Sequence, residues 1–184
     1  MVMRRLLGLS TDDGELEQAV PDTPETQTVR RIVSELGQVE PERRRYLAGF
    51  AYVLSRAAHA DLDFGEGENR LMERIVVEIG KLPEAQAVLV VEIAKHQTEL
   101  YGGTEDYLVT REFAARATDE QKRAAVEACF AVVAADHTIT AEEYAELTQI
   151  SDELGLSRPE LNVIRNDYKD HLAAIQKMRG LGQA

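Results

Sequence analysis

The sequence predicts an all-α fold, a duplicated bundle of about seven to eight helices. Three observations carry it. Apolar residues recur at helical i, i+3, i+4, i+7 spacing, Ser or Thr stands three residues before Glu or Gln at several segment starts, and no segment alternates apolar and polar residues as a strand would.

Residues 1–22 read as an acidic lead-in, because Ser10 to Asp22 has no apolar period. Within it, "MVMRRLLGL" predicts at most a short sticky helix, too short in its apolar run for an export signal. Thr23 before Pro24 is an N-cap and N1 pair, and Val29, Ile32, Val33 and Leu36 continue a helix that Gly37 is expected to stop. The next helix is expected from Pro41 to about Ala60, with Phe50, Ala51, Leu54, Ala57 and Ala58 as its stripe.

Gly65 and Gly67 open a turn before a helix from Glu66 to Ile79, stopped by Gly80, and Pro83 begins one expected to reach about Leu100. Thr104 caps a short helix to Arg116, and Thr118 with Gln121 begins another reaching Ala135. Thr140 with Glu143 starts a helix ending at Gly155. Ser157 with Glu160 starts the last, expected to run unbroken to about Met178. Residues 23–179 therefore form one domain, and 180–184 a tail.

An offset of 75 lays Ala60, Asp61, Glu68, Ile75, Glu78 and Gly80 on Ala135, Asp136, Glu143, Ile150, Glu153 and Gly155. Leu54 falls on Cys129, and Val88 with Leu89 on Val163 with Ile164. The repeats, about 44–101 and 119–176, hold three helices each and imply a pseudo-twofold relation within one core rather than a solenoid.

Charge narrows the function. Asp and Glu outnumber Lys and Arg by 33 to 21, a formal charge of -12, so a phosphate backbone is repelled and cations are the natural partners. The basic run "RRRY" at Arg43 to Tyr46 reads as a solvated helix face. A single cysteine, Cys129, can build neither a disulfide framework nor a Cys-rich metal site, falls on an apolar stripe, and points to a reducing compartment. No transmembrane segment is expected, and the location expected is the cytoplasm, or the periphery of the inner membrane.

The carboxylates of the repeat are the candidate site. Asp136 and Glu143 sit seven residues apart across a helix–turn–helix corner, as do Asp61 and Glu68, and Asp63 can add an oxygen to the first corner. Glu143 has a structural role open to it through the Thr140 capping box, whereas Gly65 gives Glu68 no such partner. Asp61 and Asp136 stand where the helix dipole disfavours them by roughly 0.3 to 1 kcal/mol. Convergent oxygens suit a hard divalent cation of the Ca²⁺ or Mg²⁺ class. An EF-hand is excluded, because its sixth and twelfth loop positions hold Glu66 and Met72 rather than Gly and Glu.

Other chemistry finds less support. No histidine lies three residues after a Glu, and there is no HExxH helix, phosphate-cradling glycine loop or GxSxG elbow. His96 and His171 correspond across the offset and His137 adjoins Asp136, but each reads first as an ordinary helix or loop histidine. With aromatics at 5%, a sugar-stacking cleft for paired carboxylates is not expected either, so the protein is expected not to be an enzyme.

The stretch "AADHTITAEEYAELTQISDELGLSRPE" resembles the TerB tellurite-resistance family, in which Ala-Asp is followed seven residues later by Glu and then by an apolar helix. The resemblance covers roughly 39–177. It implies an all-helical domain of two halves whose acidic residues bind a divalent metal, here Asp61, Glu68, Asp136 and Glu143. It also implies a non-catalytic role in stress response or signalling, with other stress-response or envelope-associated proteins as partners. Where such loops usually carry Gly after the Asp, this chain has Leu62 and His137. The alternative is a metal-free helical scaffold for protein–protein interaction.

Overall fold

The computed structural model describes residues 27, 31, 32, 34, 35, 37–58, 66–96 and 106–181; for 66–68, 106–108, 136, 180 and 181 the description is of the backbone alone. Among them are eight α-helices: α1 Pro41–Ala57, α2 Glu66–Glu78, α3 Glu84–Lys95, α4 Asp106–Arg116, α5 Asp119–Val133, α6 Ala141–Glu153, α7 Arg158–Asp167 and α8 Ala173–Leu181. Short 3₁₀ turns cover Ala134–Asp136 and Lys169–His171. The expected all-α class is observed.

Helix α1 is the centre. Glu40 caps it by accepting from the Arg43 N–H at 3.1 Å, Pro41 supplies a pre-set φ, and from Tyr46 to Ala57 only Arg56 is not buried as a whole residue. A helix buried on all sides must be enclosed by others. It packs against α3, α4, α5 and α6. Tyr46, Phe50 and Phe113 of α4 form an aromatic cluster with ring centres 5.5 to 6.5 Å apart. Gly49 permits it, since a Cβ there would stand 2.7 Å from Phe113.

The repeat survives in the helix bounds. Shifted by 75, α2 (66–78) falls on 141–153, the bounds of α6. Buried pairs follow the same register: Phe50 with Ala125, Leu54 with Cys129, Met72 with Leu147, Ile75 with Ile150, and Leu89 with Ile164. Contacts are reciprocal as well, α1 of the first half touching α6 of the second while α5 touches α2.

Several boundaries differ from expectation. Gly37 and Gln38 are still helical, so the glycine does not stop the first helix; Gly costs about 1 kcal/mol there without forbidding the conformation. Of the helix expected to begin at Thr23, residues 27, 31, 32, 34, 35, 37 and 38 are described and helical, while its start lies outside the described residues. The last predicted helix is broken in two. Leu172 is extended, and the backbone on either side of it pairs with Ile139, whose N–H donates to the His171 carbonyl at 2.7 Å while the Ala173 N–H donates to the Ile139 carbonyl at 2.9 Å. Those bonds replace the helical ones the break removes.

The arginine run is not a solvated face either. Arg43 donates to Gln86 and lies over the Tyr46 ring at 5.0 Å, Arg44 donates to the Val39 carbonyl, and Arg45 pairs with Glu42. Long stems with several donors can pack against the body while staying paired.

Candidate functional site

The second corner can be followed atom by atom through its backbone. The Thr118–Gln121 capping box starts α5, which tightens into the 3₁₀ turn Ala134–Asp136. His137 then adopts the left-handed conformation, φ 75, and donates its N–H back to the Ala134 carbonyl at 2.9 Å. A side chain in that region costs about 1–2 kcal/mol, the reason loops of this kind favour Gly here. Ile139 is buried and bridges Leu172, which anchors the turn to the chain beyond α7.

Thr140 caps α6. The Glu143 N–H donates to Thr140 Oγ1 at 3.2 Å, and the Thr140 N–H donates to Glu143 Oε2 at 2.8 Å. The structural role foreseen for Glu143 is therefore real, and it uses one of the two carboxylate oxygens. Asp136 closes the 3₁₀ turn on the other side of the corner, but its side chain lies outside the described residues.

At the first corner, Glu68 is the third residue of α2, as Glu143 is the third of α6. Its side chain, and Asp61 and Asp63 entirely, lie outside the described residues. Among the described residues, no group of three or more His, Cys, Asp or Glu is placed to hold a metal. His96 follows α3 as its C-cap, and His171 lies in a 3₁₀ turn; neither is on a helix interior.

One charged cluster escaped the sequence reading. Arg56, in the last turn of α1, has a side chain only 7% exposed, and it lies between two carboxylates of α6. Its Nη1 donates to Glu153 Oε2 at 2.5 Å and to Thr110 Oγ1 of α4 at 2.9 Å, while Nε and Nη2 donate to Glu146 Oε1 at 2.9 and 2.7 Å. Burial alone would lower the Arg56 pKa, but its hydrogen bonds to the Glu153 and Glu146 carboxylates outweigh it and raise it. Burial would likewise raise the Glu153 carboxyl, yet bonds from Arg56 and Gln149 hold it below the usual carboxylate range. The signal available was a charged residue inside an otherwise apolar stretch, "VLSRAA".

Arg56 closes the helix that leads into the first corner, and Glu146 lies three residues, about one turn, after Glu143 on the helix that leaves the second.

No helix among the described residues is long and apolar enough to cross a membrane. No curated protein and no solved structure gives a significant match to the chain. A family profile does: the one described as Tellurite resistance protein TerB matches residues 47–166, more than half of the 184 and spanning all four members of the Arg56 cluster. With its all-α architecture, the chain belongs to the TerB family.

Proposed function

We propose that this TerB-family chain is a non-catalytic module that binds divalent cations of the Ca²⁺ or Mg²⁺ class at its duplicated corners and acts in stress response or signalling. Asp61, Asp63 and Glu68 would serve the first corner, and Asp136 and Glu143 the second. The carrying observation is the register. Both glutamates are the third residue of helices with matching bounds, and each follows an Asp by seven positions.

The chemistry follows from that placement. A carboxylate in the first turn of a helix is stabilised by the dipole, while one at the preceding helix end is not, and a cation shared between them relieves the second. The Thr140 bond to Glu143 occupies Oε2, so a ligating role would fall to Oε1, with water and backbone carbonyls completing the shell. The intact Thr140–Glu143 box favours the competing reading, a metal-free scaffold in which the carboxylate only caps its helix.

Isothermal titration calorimetry separates the two. Ca²⁺, Mg²⁺ and Mn²⁺ are titrated into the wild type and into a Glu68→Ala, Glu143→Ala double variant. Heat of binding in the first and its loss in the second support the cation reading; silence of the wild type for every ion leaves the scaffold.

A further inference from the structure

Helix α8 is short and thinly packed. It rests chiefly on the 3₁₀ turn that precedes it, and from Ala173 to Arg179 none of its residues is buried. Nine residues make a marginal helix in water on propensity alone. Two fastenings hold its start, the Ala173 N–H on the Ile139 carbonyl at 2.9 Å and Gln176 Nε2 on the His137 and Asp170 carbonyls at 2.8 and 3.1 Å. Gln176 therefore turns its side of the helix toward the second corner. Met178 follows it by just over half a turn, faces away, and is 60% exposed beside the half-buried Ile175.

This outer face is apolar and bordered by cations. At 3.6 residues per turn, Lys177 and Arg179 fall on opposite sides of the line from Ile175 to Met178. Lys177 has no ion pair among the described residues, and Arg179 has one exposed pair, with Asp170 at 2.8 Å. A second α8 is a poor cover, since its cations would meet these. An anionic lipid surface would have to accept a chain of formal charge -12. An acidic segment with apolar residues of its own fits both the charge and the stripe.

We propose that the occupant is the chain's own acidic lead-in, Ser10–Asp22, docked along the outer face of α8. It carries Asp12, Asp13, Glu15 and Glu17 without any Lys or Arg, and offers Leu16 and Val20 to Ile175 and Met178. The eleven residues from Asp12 to Thr23 can span up to about 36 Å, more than twice the radius of gyration of about 15 Å for a domain of this size. The contact joins the two ends of the chain and shields the stripe from other acidic partners until the lead-in is displaced. It does not depend on the cation reading of the corners.

The test is hydrogen exchange on the full chain, read at the α8 amides. Four proteins are compared: the wild type, a lead-in variant carrying Asp12→Lys, Asp13→Lys, Glu15→Lys and Glu17→Lys, a helix variant carrying Lys177→Glu and Arg179→Glu, and the two sets combined. Exchange from α8 should quicken at least tenfold in each separate set and return to near the wild-type rate in the combination, where both charges are reversed, while α1 stays protected throughout. A Leu16→Cys, Ala174→Cys variant should close a disulfide within one chain under mild oxidation, the buried Cys129 taking no part. Exchange from α8 indifferent to the lead-in charges, no recovery in the combined set, or a disulfide linking two chains would each overturn the proposal.

Discussion

Arg56 and Glu153, 97 residues apart in the chain, meet in a buried ion pair that ties the last turn of the central helix to the last turn of its second-half neighbour α6. The pair crosses the repeat and breaks its symmetry, because the position equivalent to Arg56 is Ala131 and that equivalent to Glu146 is Leu71. One half supplies the cation and the other both anions.

Removing one partner of such a pair strands the other in a site built for its charge. Arg56→Ala is expected to lower the unfolding free energy by about 3–5 kcal/mol, measured by urea titration. Glu146→Gln should cost less than Glu153→Gln, since Glu146 is 28% exposed and Glu153 13%. The exposed Arg158–Asp152 pair provides the contrast, and Asp152→Asn should change stability by less than about 1 kcal/mol.

The same pair predicts an acid limb. The folded Glu153 carboxyl lies below its ordinary 4.5, so its contribution is present above that pH and is lost as pH falls through the folded value. Urea midpoints followed from neutral pH into acid should decline below roughly pH 4.5 in the wild type. The decline should be shallower in Glu153→Gln.

Cys129 lies fully buried beside this network, its Sγ 3.7 Å from the Val53 carbonyl. Burial pushes its thiol up to about 12, outweighing the nearby Arg56 charge. A thiol reagent should leave the native protein unmodified and label it at the rate of opening. The raised value also means that this group's contribution is complete below the unfolded value near 9.0 and declines as pH rises from there toward about 12.

Two backbone positions should respond in opposite directions. His137→Gly relieves a left-handed residue and is expected to change stability by up to about 1 kcal/mol in the favourable direction, the gain reduced by glycine's greater unfolded-state entropy. Gly155→Ala places a side chain at φ 81 and should cost about 1 kcal/mol. Gly80→Ala should cost more, because its Cβ would stand 2.5 Å from the Val76 carbonyl oxygen and 2.9 Å from Phe50. Thermal melts of the three variants would rank them.

What the sequence made legible was local. The capping pairs at Thr118, Thr140 and Ser157 each lie within one turn, so their residues announce the helix start without help from the rest of the fold. The break at Leu172 was not legible, because its cause is Ile139 in another loop, and neither segment carries a breaker residue. The Arg56 cluster was hidden likewise: its three partners come from α4 and α6 and acquire meaning only when the helices pack. At the candidate site, the Glu143 cap was readable, while the left-handed turn at His137, a residue that tolerates that region better than most, was set by loop closure with Ile139 and so was not.

The central claim is that the duplicated corners bind a divalent cation in the folded state, and thermal melting across a cation series tests it most directly. An ion that binds the fold selectively at about a hundred times its dissociation constant should stabilise it by about 2.7 kcal/mol, which for a chain of this size is roughly 5–10 °C in melting temperature. The account predicts that rise with Ca²⁺ or Mg²⁺ in the wild type and its loss in the Glu68→Ala, Glu143→Ala variant. A wild-type melting temperature unmoved by either ion, or an equal rise in the variant, would contradict it.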